Sequence, residues 1–138
     1  MVFGTFDGLH EGHLDFFAQA KKSVKNPILI ISVARDENVK KIKGVKPELS
    51  EKKRKSLIEK TGIADLVVLS GKKEYLPHIF KINPDIIALG YDQKAYVSEL
   101  KKDLEKFGST IKVIRLKPYK ANIFKNHLLK HKRKLKTE

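Results

Sequence analysis

The chain of 138 residues contains no cysteine, no tryptophan and a single methionine. Without cysteine there is no disulfide framework, no thiolate zinc site and no cysteine nucleophile. Long hydrophobic runs are missing too. The longest, from Pro27 to Ala34 and from Ile86 to Gly90, fall far short of the roughly 20 apolar residues that a membrane-spanning helix needs. The chain opens Met1-Val2-Phe3-Gly4 with no basic leader, so nothing here reads as an export signal and a cytoplasmic protein is expected. Internal repeats, low-complexity stretches and linker-like Ser/Gly/Pro tracts are absent. With 41% hydrophobic residues, 1–138 is expected to fold as one domain. Negative charge is scarce: 16 Asp and Glu face 30 Lys and Arg, a net charge of +14. Such an excess invites phosphates, nucleotides or nucleic acid as partners. Much of it is local, because residues 115–138 hold nine basic residues and one acid, Glu138, and supply +8 of the +14. A basic segment of this kind, with a helix expected from about residue 123, is most simply a solvated end.

Short apolar runs alternate with amphipathic stretches, the pattern of βαβ units whose parallel strands are buried on both faces. Five runs read as strands: Met1 to Phe3, Ile28 to Ala34, Leu66 to Leu69, Ile86 to Leu89 and Ile111 to Leu116. Helices are expected over Glu11 to Val24, after a Ser50 cap with Leu57 and Ile58 inward, and over Leu76 to Lys81. Another should carry Tyr96, Leu100, Leu104 and Phe107 before a Gly108 stop, and a last one should run from Ile123 to Arg133. The expected architecture is a single α/β, Rossmann-like, three-layer domain with a five-stranded parallel sheet flanked by helices. A first strand of three residues is short for a central position, so residues preceding Met1 are expected.

The chemistry concentrates in Gly4-Thr5-Phe6-Asp7-Gly8-Leu9-His10-Glu11-Gly12-His13, directly after the first strand and opening the first helix. That is the carboxyl edge where open α/β sheets bind ligands. Gly4 and Gly8 allow a sharp turn, and the unpaired amides at the helix start, aided by its dipole, favour an anion. His10 and His13, three apart, can face one phosphate side by side, with Gly12 removing a side chain that would block approach. A zinc site would need a third protein ligand, and neither Cys nor an HExxH pattern supplies one, so no protein-held metal is expected. His78 and His131 have no partner pattern and receive no role.

The string GTFDxxHxGH resembles the signature of the HxGH, cytidylyltransferase-like nucleotidyltransferases. The resemblance runs almost the whole length and is strongest to the archaeal-type FAD synthases, which are FMN adenylyltransferases. Val33 to Gly44, read as the second strand and following loop, is similar to that branch, as are Lys46-Pro47 with Arg54, Pro84 to Gln93 with its LGxDQ turn, and Tyr119-Lys120. One departure stands out. Related cytidylyltransferases carry a hydroxyl cluster near the C-terminus, whereas Ile123-Phe124-Lys125-Asn126-His127 has no Ser or Thr, although Lys125, Asn126 and His127 can still donate to phosphate.

The resemblance implies in-line attack of an FMN phosphate oxygen on the α-phosphorus of ATP, with pyrophosphate leaving and magnesium bridging phosphates. It implies His10 and His13 as donors to the α-phosphate and leaving oxygens, and Lys41, Lys43, Lys46 and Arg54 as acceptor-side phosphate contacts, with Lys40, Lys41 and Lys43 as alternative registers. Thr5, Phe6, Glu11, Gly12, Asp92 and Tyr119 complete the nucleotide-binding set. The amides of Thr5 and Phe6 cradle the nucleotide, Asp92 holds one of its polar groups, and Tyr119 stacks on adenine or hydrogen-bonds a phosphate. Asp7 is a weak metal-ligand candidate. A homodimer is plausible by analogy with relatives. A cytidylyltransferase acting on glycerol 3-phosphate or a similar phosphorylated alcohol is the alternative enzyme. From another class come a nucleotide binder without catalysis and a nucleic-acid-binding module, the latter disfavoured because no recognition motif accompanies the basic tail.

Overall fold

The computed structural model describes residues 1–72, 74–93 and 97–119. In chain order the elements are β1 (Val2–Gly4), α1 (Glu11–Lys22), β2 (Ile30–Val33), α2 (Asp36–Lys43), α3 (Glu51–Thr61), β3 (Leu66–Leu69), α4 (Tyr75–Ile82), β4 (Ile86–Leu89), α5 (Val97–Lys106) and β5 (Lys112–Arg115). All five expected strands form, and every pair is parallel. Val2 lies opposite Ile31, Ile31 opposite Val67 and Ile87 opposite Val113. The last helix expected over 123–133, the Lys125-Asn126-His127 segment, Tyr96 and Lys120 lie outside the described residues. Among the described residues no helix is long and apolar enough to cross a membrane.

The expected single sheet is corrected to two, ordered β1-β2-β3 and β4-β5. At their seam Met1 donates its amino N–H to Ile86 O at 2.8 Å and accepts from Ala88 N at 3.0 Å. One pleat further on, the Gln93 carboxamide stands between the strands. It accepts from Gly90 N and donates to Phe3 O, both at 3.1 Å. A side chain thus replaces the backbone ladder, and β1 and β4 part at their carboxyl ends. This is the place where strand order reverses and open α/β sheets leave a crevice for ligands.

Alternation along the strands divides the core in two. Val2, Ile31, Val33, Val67 and Ala88 pack with Phe17 and Ala20 of α1 and Ile58 of α3. Ile87 and Leu89, joined by Phe3 and Val113, pack with Ile79 of α4 and with Leu100 and Leu104 of α5. Helices therefore cover both faces.

α2 occupies residues read from the sequence as a loop. It buries only Val39, so it carries almost no apolar period. Its termini provide the drive: Asp36 and Glu37 in the first turn, Lys40, Lys41 and Lys43 in the last, and Gly44 at φ 83° donating its N–H back to Lys40 O.

Candidate active site

The loop leaving β1 turns on Phe6, whose φ of 54° is strained for a bulky residue. Aromatic packing offsets that strain. The buried Phe6 ring meets Phe17 and His13 edge-on, with centroids 5.2 and 5.4 Å away. Gly4 makes room for it, since a Cβ there would stand 2.5 Å from the ring.

His10 caps α1. Its Nδ1 accepts from Gly12 N at 3.0 Å, while its own N–H donates to His13 Nδ1 at 3.3 Å, a reciprocal capping box built from two histidines. The rings stack with centroids 3.8 Å apart. Because each Nδ1 accepts, these bonds assign the proton of each neutral ring to Nε2. Two N–H donors are thereby held side by side at a helix N-terminus. A Cβ at position 12 would lie 2.9 Å from His10 Cε1, so Gly12 makes room for the histidine ring itself.

A cavity of about 990 Å³ opens over this junction. Thr5, Phe6, His10, Gly12, His13, Lys46, Asp92 and Tyr119 line it together, joined by Lys43 and Lys117. Glu11 stands beside this wall, its carboxylate accepting from Tyr119 Oη at 3.0 Å, and that bond raises the phenol's pKa. Gln19 fixes the approach of that tyrosine by bonding both Lys117 N and Lys117 O at 2.9 Å.

Arg54 lies beneath the site and lines neither cavity. Its fully buried guanidinium donates to Leu49 O at 3.0 Å, Thr5 O at 2.7 Å and Asp36 Oδ1 at 2.7 Å. It ties β1's loop to α2 and α3, so the structure does not bring it to the cavity wall with Lys46 and the two histidines. Asp7 is similarly engaged: its two oxygens accept from Glu48 N and Leu49 N, each at 2.8 Å, and so hold the loop that carries Lys46.

A second cavity, about 350 Å³, adjoins the first on the α4 and α5 side of the sheet. The two share Phe3, Gly4, Thr5, Val39, Lys43 and Gln93. Lys41 and Lys43 stand on the wall of the smaller one, which is otherwise largely apolar, with Ala34, Ile42, Ile79, Leu89 and Leu100. In it Ser32 Oγ and His78 Nε2 lie 2.9 Å apart. Burial lowers the His78 pKa, and Arg35 and Lys81 lower it further.

Two residues that matter here carry no role of their own in the sequence. Gln93 stands there only as the end of the LGxDQ turn, and Arg115 only as one more charge of the basic tail. Arg115 Nη1 donates to Gly90 O at 2.7 Å and Gln93 O at 2.9 Å, holding the turn that carries Asp92. No local pattern announces this, because β5 and the turn meet only in three dimensions.

Residues 1–134 match the cytidylyltransferase-like family model. The chain is 41% identical over 117 residues to the FAD synthase of Korarchaeum cryptofilum, covering 84% of this chain and 79% of that protein. It is 39% identical over 119 residues to the FAD synthase of Aciduliprofundum boonei, covering 86% and 78%. Among solved structures, the lipopolysaccharide core biosynthesis protein of Thermoplasma volcanium superposes with a TM-score of 0.78 at 34% identity, over 86% of this chain and 95% of that one. With its HxGH capping box at the parting of β1 and β4, this chain belongs to the cytidylyltransferase-like family.

Proposed function

We propose that the protein is an FMN adenylyltransferase that joins AMP from ATP to FMN, forming FAD and pyrophosphate. The observation that carries this reading is the pair of joined cavities. One is the more polar and is lined by the stacked histidines; the other is mainly apolar and suited to a flat ring system, and they share the wall at Gly4 and Thr5. Two relatives named as FAD synthases, each about 40% identical, support the same reading.

ATP occupies the larger cavity, with its phosphates over the amino end of α1. FMN enters the smaller one ring first and leaves its phosphate near Thr5, Lys43 and Lys46. A phosphate oxygen of FMN attacks the α-phosphorus, the new P–O bond forms as the bond to the pyrophosphate oxygen breaks, and no protein group is covalently modified. The Nε2–H groups of His10 and His13 donate to oxygens on which charge gathers in the transition state. Lys46 adds positive charge on the acceptor side, and Asp92 and Tyr119 orient the nucleoside. Arg54 and Asp7 act as positioning residues.

Among the described residues no group of three or more His, Asp or Glu is placed to hold a metal ion. Magnesium would enter as a companion of ATP, and Asp15 and Asp92 of the cavity wall are the residues that would hold it. Bound there, it would supply positive charge to offset that of the phosphates.

The test is pyrophosphate release with magnesium, offering ATP or CTP against FMN or glycerol 3-phosphate. Release confined to ATP with FMN, and FAD recovered by chromatography, is the expected result. Release with CTP and glycerol 3-phosphate would transfer the same histidines to a cytidylyltransferase.

A further inference from the structure

β2 reads Ile-Ile-Ser-Val, and its single polar residue, Ser32, is only 1% exposed. Alternation turns Ser32 toward the α4 and α5 face, among Phe3, Ile79 and Leu89, and onto the wall of the smaller cavity. There it bonds His78, which α4 brings across from the opposite wall. Gly71 helps to set that approach: a Cβ on it would stand 2.7 Å from Glu74 O and 3.3 Å from His78 Cβ, so α4 starts closely packed against it.

A hydroxyl and an imidazole in an apolar wall gain little stability from their shared bond, and an apolar pair of the same shape would serve the core equally well. A ligand gives them a reason. The hydroxyl has one donor and two lone pairs, and its bond to His78 uses only one of these sites. Whichever tautomer His78 adopts, Ser32 keeps hydrogen-bonding positions that this bond does not use, and it stands on the cavity wall. The rest of the wall is mainly apolar, with Asn38, Ser70, Glu74 and Gln93 as further polar residues, Lys41 and Lys43 as cations, and its Gly4 and Thr5 side shared with the larger cavity. Such a space suits a flat, uncharged heteroaromatic ring with an amide-like edge at one end and a phosphate at the other.

We infer that Ser32 and His78 are the specificity determinants of the acceptor subsite, Ser32 hydrogen-bonding the pyrimidine-like edge of the flavin ring and His78 holding that hydroxyl in position. The inference rests on the FMN adenylyltransferase reading and adds to it the residues that choose the acceptor.

Two measurements test it on the full chain: FAD formation as a function of FMN concentration with ATP and magnesium, and quenching of riboflavin fluorescence on binding. Riboflavin carries the ring without the phosphate and so reports the ring subsite alone. In Ser32→Ala and His78→Leu, KM for FMN and Kd for riboflavin should each rise about tenfold, the loss of one buried hydrogen bond. The kcat and the KM for ATP should stay within about threefold of wild type. His78→Gln, which can still bond Ser32, should recover part of the loss. If His78→Leu does not fold, Ser32→Ala and His78→Gln decide. Folded, active variants with unchanged KM for FMN and unchanged riboflavin binding would overturn the inference and leave the pair a packing feature, with the adenylyltransferase reading intact. A change confined to kcat or to thermal stability would overturn it in the same way. A wild-type protein that neither forms FAD nor binds riboflavin would overturn both together.

Discussion

His13 sits where three local devices meet: the Phe6 ring at its edge, the His10 ring on its face and the His10 amide on its Nδ1. Its ring is therefore oriented before any substrate arrives, which is the condition for electrostatic catalysis. His13→Ala should lower kcat by roughly 100- to 1,000-fold, measured as FAD formation, at a stability loss of about 1 kcal/mol from the cap. Gly12→Ala separates stability from activity. Alanine suits a helix better than glycine by about 1 kcal/mol, which roughly offsets the disturbed His10 cap, so the melting temperature should change little. Turnover should nonetheless fall, because the new Cβ would stand 2.9 Å from His10 Cε1 and displace that ring. Arg54 offers the opposite case. With no exposed surface and three partners, its replacement by Met leaves Asp36 and two carbonyls unmatched, and urea denaturation should show a loss of about 3–5 kcal/mol.

Among elements, α2 and the loop after it contribute to the walls of both cavities. The helix supplies Val39, Lys41, Ile42 and Lys43 to the smaller one, and the loop supplies Val45, Lys46 and Pro47 to the larger. Asp7 holds that loop through two amides. Asp7→Ala should therefore raise KM for the acceptor severalfold while the urea midpoint moves little, because Glu48 and Leu49 can turn their amides to water. The helix was not legible in the sequence because an amphipathic pattern needs several buried positions and α2 has one. Its capping signature, acids first, lysines last and then glycine, was present and would have found it. The α3 cap was legible for the converse reason: Ser50 acts on its own local backbone, accepting from Lys53 N at 3.2 Å.

For the whole molecule, His78 links stability to pH. Unfolded, it takes up a proton near its ordinary value of 6.5; in the fold, burial first and then Arg35 and Lys81 hold its pKa lower. The native state binds fewer protons in that window, so stability is fully present above about pH 6.5 and is lost as pH falls through the folded value. The urea midpoint should decline between pH 7 and pH 5, and His78→Gln should flatten the decline. The strands, most helices and the GTFDxxHxGH junction could be read along the chain because each depends on neighbours a few residues away: buried parallel strands show as apolar runs, and a helix start shows as its cap. Other features depend on contacts between residues far apart in sequence. Gln93 reaches Phe3 across the seam that divides the sheet, Arg115 reaches Gly90, Arg54 reaches Thr5, and Ser32 meets His78. Local periodicity carries no record of such pairings, so the two-sheet seam, the inward turn of Arg54 and the Ser32–His78 pair on the wall of the smaller cavity were decided only when packing brought those residues together.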